Sequence, residues 1–140
     1  MGSISKNFDY KEFEKSDTAS RMHITNVISS FEVRDNIKAL VDNVLQPLRD
    51  ACGYPLFINS GYRCLKLNEA VGGVPTSQHV MGQAADVGCS DPLALARLAK
   101  KMKLDFDQMI LYPTFVHFSY DEGRNRNKIL YNYRYKGDKV

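Results

Sequence analysis

The chain has 140 residues, of which 44% are hydrophobic and 25% are charged, and its formal net charge at pH 7 is +3. These proportions are typical of one globular domain and argue against disorder over most of the chain, and no apolar run is long enough for a membrane helix. A net charge of +3 is too small to indicate nucleic-acid binding by itself.

The N-terminal segment carries no recognisable targeting signal. Residues 1–17 contain no hydrophobic core after their first charges, which a secretory signal requires. Lys6 stands where N-myristoylation needs serine or threonine. We therefore expect synthesis in the cytoplasm without the standard export route, and a flexible stretch at residues 1–7.

Two helices are predicted in the first part of the chain. A short helix covers residues 10–15, with Asp9 as its N-cap. A longer helix runs from about residue 33 to residue 51, because its apolar residues form a single stripe. The stripe consists of Ile37, Leu40, Val41, Val44, Leu45 and Leu48. Pro47 lies inside this pattern and lacks an N–H group, so a kink or break is expected near Leu45.

The middle of the chain alternates strands, a helix and a loop. Residues 56–60 (LFINS) predict a strand, and residues 64–72 (CLKLNEAVG) predict a brief helix that stops at glycine. Residues 73–82 are interpreted as a loop. Residues 83–89 (QAADVGC) alternate as a strand does.

The last part of the chain predicts one helix and three strands. The helix covers residues 91–102 and begins with an aspartate cap followed by proline. Residues 106–112 and 115–120 are strand-like runs joined by a tight connection, and residues 128–135 form a last strand. This order favours a single α+β domain over residues 1–140, with a mainly antiparallel sheet flanked by helices.

A candidate metal site lies in residues 77–87 (SQHVMGQAADV), which place His79 and Asp86 seven positions apart. Gly82 argues against a helix between them, so His79 stands at the entrance of a strand and Asp86 inside it. A half-buried aspartate in a strand is costly unless a partner compensates its charge. A divalent cation is one such partner, and an arginine or a set of backbone N–H groups is another.

His117 is a third candidate ligand, in a predicted strand between Val116 and Phe118. A single histidine in such a strand is more often a hydrogen-bonded core residue. His79, Asp86 and His117 together provide two imidazoles and one carboxylate, which suit zinc and leave a fourth position for water. Spacing alone leaves both interpretations open.

The remaining histidine and the cysteines indicate no further site. Cys52, Cys64 and Cys89 form no CxxC pair, so we expect partly buried thiols in a reducing compartment. His23 lies in a polar loop and is assigned no role.

Three longer segments carry a family resemblance: SGYRC (60–64), LNEAVGGVPTSQHVMGQAADV (67–87) and FDQMILYPTFVHFSY (106–120). Together they resemble the zinc peptidases of the D-alanyl-D-alanine carboxypeptidase family (peptidase M15). That family shares its fold with the amino-terminal signalling domain of hedgehog proteins. FEKSDTASR (13–21) and VLQPLRDACGYPLFI (44–58) are similar to its short bacterial and phage members.

The resemblance implies a hedgehog/DD-peptidase-like fold and a zinc ion held by His79, Asp86 and His117. It also implies that Arg63 points into the site, where a guanidinium holds a substrate carboxylate or stabilises an oxyanion. The implied activity is zinc-dependent hydrolysis of peptidoglycan stem peptides, at a D-Ala-D-Ala bond or a neighbouring link.

The sequence departs from the family at the general base. Members often carry Glu or Asp three or six positions before the last histidine, where this chain has Thr114 and Leu111. Asp107 is the candidate that remains, although capping a turn is the commoner role of an aspartate at a strand entrance.

Two functions therefore remain open: an active zinc peptidase, and a zinc-containing binding module of the same fold. Residues 121–140 hold the last strand and a basic, tyrosine-rich tail, which raises nucleic-acid binding as a third idea. A charged edge strand explains this composition more simply. The expected partners are peptidoglycan peptides without nucleic acid, and the expected state is a monomer that reaches the cell wall by release.

Overall fold

The computed structural model describes residues 2–140, and its centre is a five-stranded sheet with the order β3-β4-β6-β5-β7. The strands are β1 (Ser3–Ser5), β2 (Phe8–Asp9), β3 (Phe57–Ser60), β4 (Ala84–Gly88), β5 (Gln108–Leu111), β6 (Phe115–Ser119) and β7 (Lys128–Tyr131). The helices are α1 (Tyr10–Glu14), α2 (Asp17–Arg21), α3 (Phe31–Leu40), α4 (Gln46–Cys52), α5 (Leu65–Ala70) and α6 (Pro92–Lys101). Neighbouring strands in this sheet are antiparallel, except that β5 and β7 are parallel. The predicted α+β class with a mainly antiparallel sheet is confirmed.

The long predicted helix is present as α3, a π-helical turn at Val41–Leu45, and α4. In the π turn the amide of Gln46 donates to the carbonyl of Val41, five residues back. Pro47 follows directly, and a wider turn leaves room for the ring that would crowd a regular α-helix. The regular α-helix is therefore interrupted near Leu45, as predicted, but by a π turn in a continuous helical segment and not by a break. Among residues 2–140, none of the helices has the length and apolar character needed to cross a membrane.

The core lies between the helices and one face of the sheet. The apolar stripe of α3, the π turn and α4 is buried against alternate residues of β4, β5 and β6. These strand residues are Ala85, Val87, Met109, Leu111, Val116 and Phe118. Because successive side chains point to opposite faces, the other face carries the residues between them. The register places Asp86 beside His117, and His117 beside Ile110.

Two N-terminal elements differ from the sequence prediction. Residues 3–9 pair as a β1–β2 hairpin, and the Ser5 hydroxyl donates to Gln46 Oε1 over 2.6 Å. The predicted flexibility of residues 1–7 stays a prediction, and Met1 lies outside the described residues. The five residues of α2 are too few to show an amphipathic pattern in the sequence.

The basic C-terminal tail folds back onto the edge strand β7. The Lys139 ammonium lies 4.0 Å from the centroid of the Tyr131 ring, and the amide of Val140 donates to the Tyr131 hydroxyl over 2.9 Å. These contacts agree with the interpretation of the tail as a charged sheet edge.

The three cysteines are free and half-buried, as predicted. Cys64 is the N-cap of α5, where its sulfur accepts a hydrogen bond from the amide of Leu67. This capping contact is a structural reason for a cysteine at position 64, and it requires no redox role.

Replacing Gly82 with alanine is expected to destabilise the fold more than the same change at Gly72. Both glycines have a positive φ, +74° and +78°, so each alanine brings strain of about 1 kcal/mol. At Gly82 the new Cβ would also lie 2.7 Å from the Val33 carbonyl oxygen. This close contact adds about 1–3 kcal/mol to the loss in the free energy of unfolding. Urea unfolding of both variants measures the difference, and equal losses would contradict a tight contact with α3.

Candidate metal centre

Three side chains converge beside the sheet: His79 from the loop before β4, Asp86 from β4 and His117 from β6. One donor atom of each lies within 4.8 Å of the other two. His117 Nδ1 is 2.9 Å and His79 Nε2 is 3.4 Å from the same oxygen, Oδ1 of Asp86. The sequence predicted this convergence, and the structure contains it.

The spacing and chemistry of these atoms fit a divalent metal. Donors bound tetrahedrally to zinc are roughly 3.3 Å apart, given bonds of about 2.0–2.2 Å. The two histidine–aspartate separations of 2.9 Å and 3.4 Å lie close to that value. Two imidazoles and a carboxylate form a donor set that zinc favours in catalytic sites.

A backbone contact selects the histidine nitrogen that faces the centre. His79 Nδ1 is 2.7 Å from the carbonyl oxygen of Gly61. A carbonyl only accepts, so Nδ1 carries the hydrogen and Nε2 directs its lone pair towards Asp86. Histidines that bind metals are commonly held in this way. His79 is also the most buried of the three side chains, with 5% of its surface exposed.

Residue 61 must be glycine because the backbone of α1 packs directly against it. A Cβ at Gly61 would lie 2.8 Å from the Cα atom of Phe13 in α1. The amide of Tyr62 donates to the Phe13 carbonyl over 2.8 Å, so the segment after β3 is hydrogen-bonded to α1 next to this contact. The carbonyl that orients His79 therefore sits on backbone anchored to the core.

The Asp86 carboxylate is held in its charged form. Burial raises the pKa of Asp86, but its contacts with His117 and His79 outweigh burial and keep that pKa well below its usual range. Its side chain is 14% exposed. A carboxylate ligand must be deprotonated, and this one is so at neutral pH.

Arg63 faces the centre, as the sequence predicted. Its Nη2 atom lies 3.6 Å from Asp86 Oδ2, and its Nε donates to the Ser60 hydroxyl over 3.1 Å. Burial lowers the pKa of Arg63, and the nearby Asp86 charge opposes that effect. An arginine has no accessible neutral form in proteins, so a positive charge faces the metal centre.

Asn68 is a site residue that the sequence analysis missed. Its Oδ1 atom accepts a hydrogen bond from Arg63 Nη1 over 3.3 Å, and its side chain is buried. The sequence LNEAVGG could have identified it, because a polar residue on the buried side of a short helix needs a hydrogen-bond partner.

Asp107 lies near the centre, but other groups occupy its carboxylate. Arg126 Nε and Nη2 donate to its two oxygens over 2.7 Å and 2.8 Å, and Gln78 Nε2 donates over 2.9 Å. The hydrogen bonds from Arg126 are the main reason that the pKa of Asp107 falls to about 2. A carboxylate held in this way accepts a proton poorly at neutral pH, so these contacts disfavour Asp107 as the general base. That role stays a prediction.

A cavity of about 590 Å³ lies beside the centre, and His117 is the one candidate ligand among its lining residues. Its lining is mostly polar and includes Gln78, Asp107, Gln108 and Arg126. The cavity is large enough for part of a peptide, and its hydrogen-bonding groups suit a polar one.

Comparisons with known proteins agree with this geometry. A family model described as Peptidase M15 matches residues 6–119. The chain is 41% identical over 59 residues to the zinc D-Ala-D-Ala carboxypeptidase of Streptomyces albus G. That match covers 40% of this chain and 23% of the relative, so the aligned part spans less than a quarter of the relative's length.

Replacing Asp107 with asparagine is expected to lower stability at neutral pH and to matter less in acid. Because the pKa of Asp107 is lowered to about 2 by Arg126, its contribution is present above about pH 4 and is lost as pH falls through about 2. We expect D107N to reduce the free energy of unfolding by about 2 kcal/mol at pH 7. Urea unfolding between pH 7 and pH 2 measures this, with D105N, a change at an exposed neighbouring acid, as the control. The ion pair would be contradicted if the difference in the free energy of unfolding between D107N and the parent stayed constant down to pH 2.

Proposed function

The chain belongs to the M15 peptidase family, and from this membership we propose that it is a zinc peptidase acting on peptidoglycan stem peptides. The bond cleaved is then a D-Ala-D-Ala bond or a neighbouring link, in keeping with the name of the Streptomyces albus G relative. A cell-wall substrate further implies that the protein acts after leaving the cytoplasm.

The observation that carries the proposal is the oriented donor set. His79 Nε2 and His117 Nδ1 both face one oxygen of Asp86, and the Gly61 carbonyl fixes the tautomer of His79. Two imidazoles and one ionised carboxylate, each with a donor atom facing the same point, supply the ligand types that a catalytic zinc takes. A zinc ion held there supplies Lewis-acid chemistry towards water and the scissile carbonyl.

Arg63 is the residue that we assign to the substrate. Its Nη2 atom forms an ion pair with Asp86 Oδ2 at 3.6 Å, a separation too long for a hydrogen bond. That donor is therefore open to a substrate carboxylate or to the oxyanion that develops during attack. The cavity beside His117 would receive the peptide, with Gln78 and Gln108 as polar contacts.

The proton acceptor of the family is absent from its usual two positions in this chain. Leu111 is fully buried in the core and Thr114 carries no carboxylate, so neither serves. Asp107 would first have to lose the two side-chain hydrogen bonds from Arg126. We propose that Asp107 shapes the cavity wall by holding Gln78 and Arg126.

A zinc-containing binding module is the second candidate function, and the occupied Asp107 carboxylate favours it. Such a module would hold the metal and a cell-wall peptide through Arg63 without appreciable turnover. Zinc content and hydrolysis, measured on the same preparation, separate the two functions.

Loss of a ligand is expected to remove zinc and activity together. After dialysis we expect about one zinc per chain in the parent, and little in H79A, D86N or H117A. Metal analysis of the proteins gives the zinc content, and mass spectrometry of digested peptidoglycan gives hydrolysis. Hydrolysis should fall by roughly a thousandfold, because metal assistance supplies several kcal/mol.

The control for these variants is H23N, since His23 lies outside the site and asparagine tolerates its positive φ of 55°. H23N should keep both zinc and hydrolysis. Zinc without hydrolysis in the parent would indicate the binding module, and a parent that binds no zinc would refute both functions.

Replacing Asp107 is expected to change turnover little. If Asp107 holds the cavity wall, D107N should lower kcat by less than about tenfold, whereas removal of a general base costs about 10²–10⁴-fold. Steady-state kinetics on a stem peptide measures this, and D105N again serves as the control. A loss of a hundredfold or more would restore Asp107 as the base.

A further inference from the structure

The position of the Arg63 guanidinium depends on contacts at three of its nitrogens. Nε donates to Ser60, Nη1 donates to Asn68, and Nη2 lies 3.6 Å from Asp86. Asp86 is itself a candidate ligand, and its charge attracts the guanidinium. If the contact at Nη1 were absent, this attraction would draw Arg63 onto the carboxylate that the metal needs.

Asn68 contacts Nη1 of Arg63, whereas Asp86 faces Nη2, and the Asn68 side chain is fixed in place. It is 2% exposed, and its Nδ2 donates to the Val74 carbonyl over 2.8 Å. Because a carbonyl only accepts, this bond sets the amide orientation and leaves Oδ1 facing Arg63. Nδ2 donates to Val74 and Oδ1 accepts from Arg63, so both ends of the side-chain amide are used. The backbone amide of Gly73 also donates to the backbone carbonyl of Asn68 over 2.8 Å.

Gly73 provides the space that this amide occupies. A Cβ on Gly73 would overlap Oδ1 of Asn68, the atom that accepts from Arg63. The adjacent Gly72 differs, since nothing lies within 4 Å of its Cβ position and its φ of +78° explains the glycine. The two consecutive glycines thus have separate roles: Gly72 makes the turn, and Gly73 admits the Asn68 side chain.

We propose that Asn68, with the space left by Gly73, is a positioning residue that keeps the Arg63 guanidinium from moving closer to Asp86 than the observed 3.6 Å and directs it at the substrate. Through this hydrogen bond Arg63 keeps one donor for the substrate, and Asp86 keeps Oδ1, the oxygen that faces both histidines, for the metal. The expected effect of Asn68 on turnover rests on the proposed peptidase function. The expected effect of Asn68 on the position of Arg63 does not.

The structural effect is measured by NMR of the arginine Nε–H groups in the zinc-loaded protein. We expect a slowly exchanging Arg63 signal in the parent, assigned by its absence from R63K. In N68A this signal should shift and exchange at least about tenfold faster, with zinc content unchanged. The matched control is N36A, which removes an asparagine that donates to the Met81 carbonyl in the neighbouring loop. An Arg63 signal that is the same in N68A and N36A would overturn the proposal.

The kinetic effect is measured by a double-mutant cycle. We expect N68A to lower kcat/KM by about 10–100-fold in the parent and by less than about twofold in an R63A background, because Asn68 acts through Arg63. An equal loss in both backgrounds would indicate a packing role and overturn the proposal. A parent without turnover refutes the proposed peptidase, while the NMR comparison still decides the role of Asn68.

A second pair of variants serves if N68A does not fold. G73A keeps the amide but forces it to move, so the Arg63 signal should change as predicted for N68A. G72A makes the same substitution one residue earlier, where no atom is crowded, and should leave the signal unchanged. A parent-like Arg63 signal in G73A would likewise overturn the proposal.

Discussion

The carboxylate of Asp86 is the charge around which the site is built. It lies in a central strand, where its burial is unfavourable unless partners compensate. Two histidines and one arginine surround it, and they arrive from β6, from the loop before β4 and from the segment after β3. The register of β4 with β6 places Asp86 directly beside His117. A shift of one residue would turn one of the two into the core, so the sheet register and the centre depend on each other.

Packing in the core supports the chemistry of the opposite face. Phe13 lies against Gly61, and the Gly61 carbonyl determines which nitrogen of His79 faces Asp86. Gly82, packed on α3, brings the chain from His79 into β4. The geometry of the centre is therefore set by backbone contacts with α1 and α3 rather than by the ligands alone. This dependence agrees with the need for metal ligands to be held before the metal arrives.

The two carboxylates near the cavity differ because their partners differ. Asp86 faces two histidines, which a metal can share, and its one guanidinium partner, Arg63, lies at 3.6 Å without a hydrogen bond. Asp107 is paired with a guanidinium through two side-chain hydrogen bonds, and its pKa of about 2 reflects that bidentate contact. The environment thus separates two chemically identical side chains into a candidate ligand and a wall residue.

The sequence alone indicated most helices and strands, since apolar periodicity and strand alternation are local properties. Spacing left the role of His79, Asp86 and His117 open, and only the family resemblance implied that they form one metal site. Only the tertiary structure decided which polar groups pair across the site. Asp107 meets Arg126 across 19 positions, and Arg63 meets Asn68 across a helix start. No periodicity encodes such pairs, because they depend on where loops return to the sheet. The sequence could therefore propose Asp107 as a base, whereas the fold showed its carboxylate already bound.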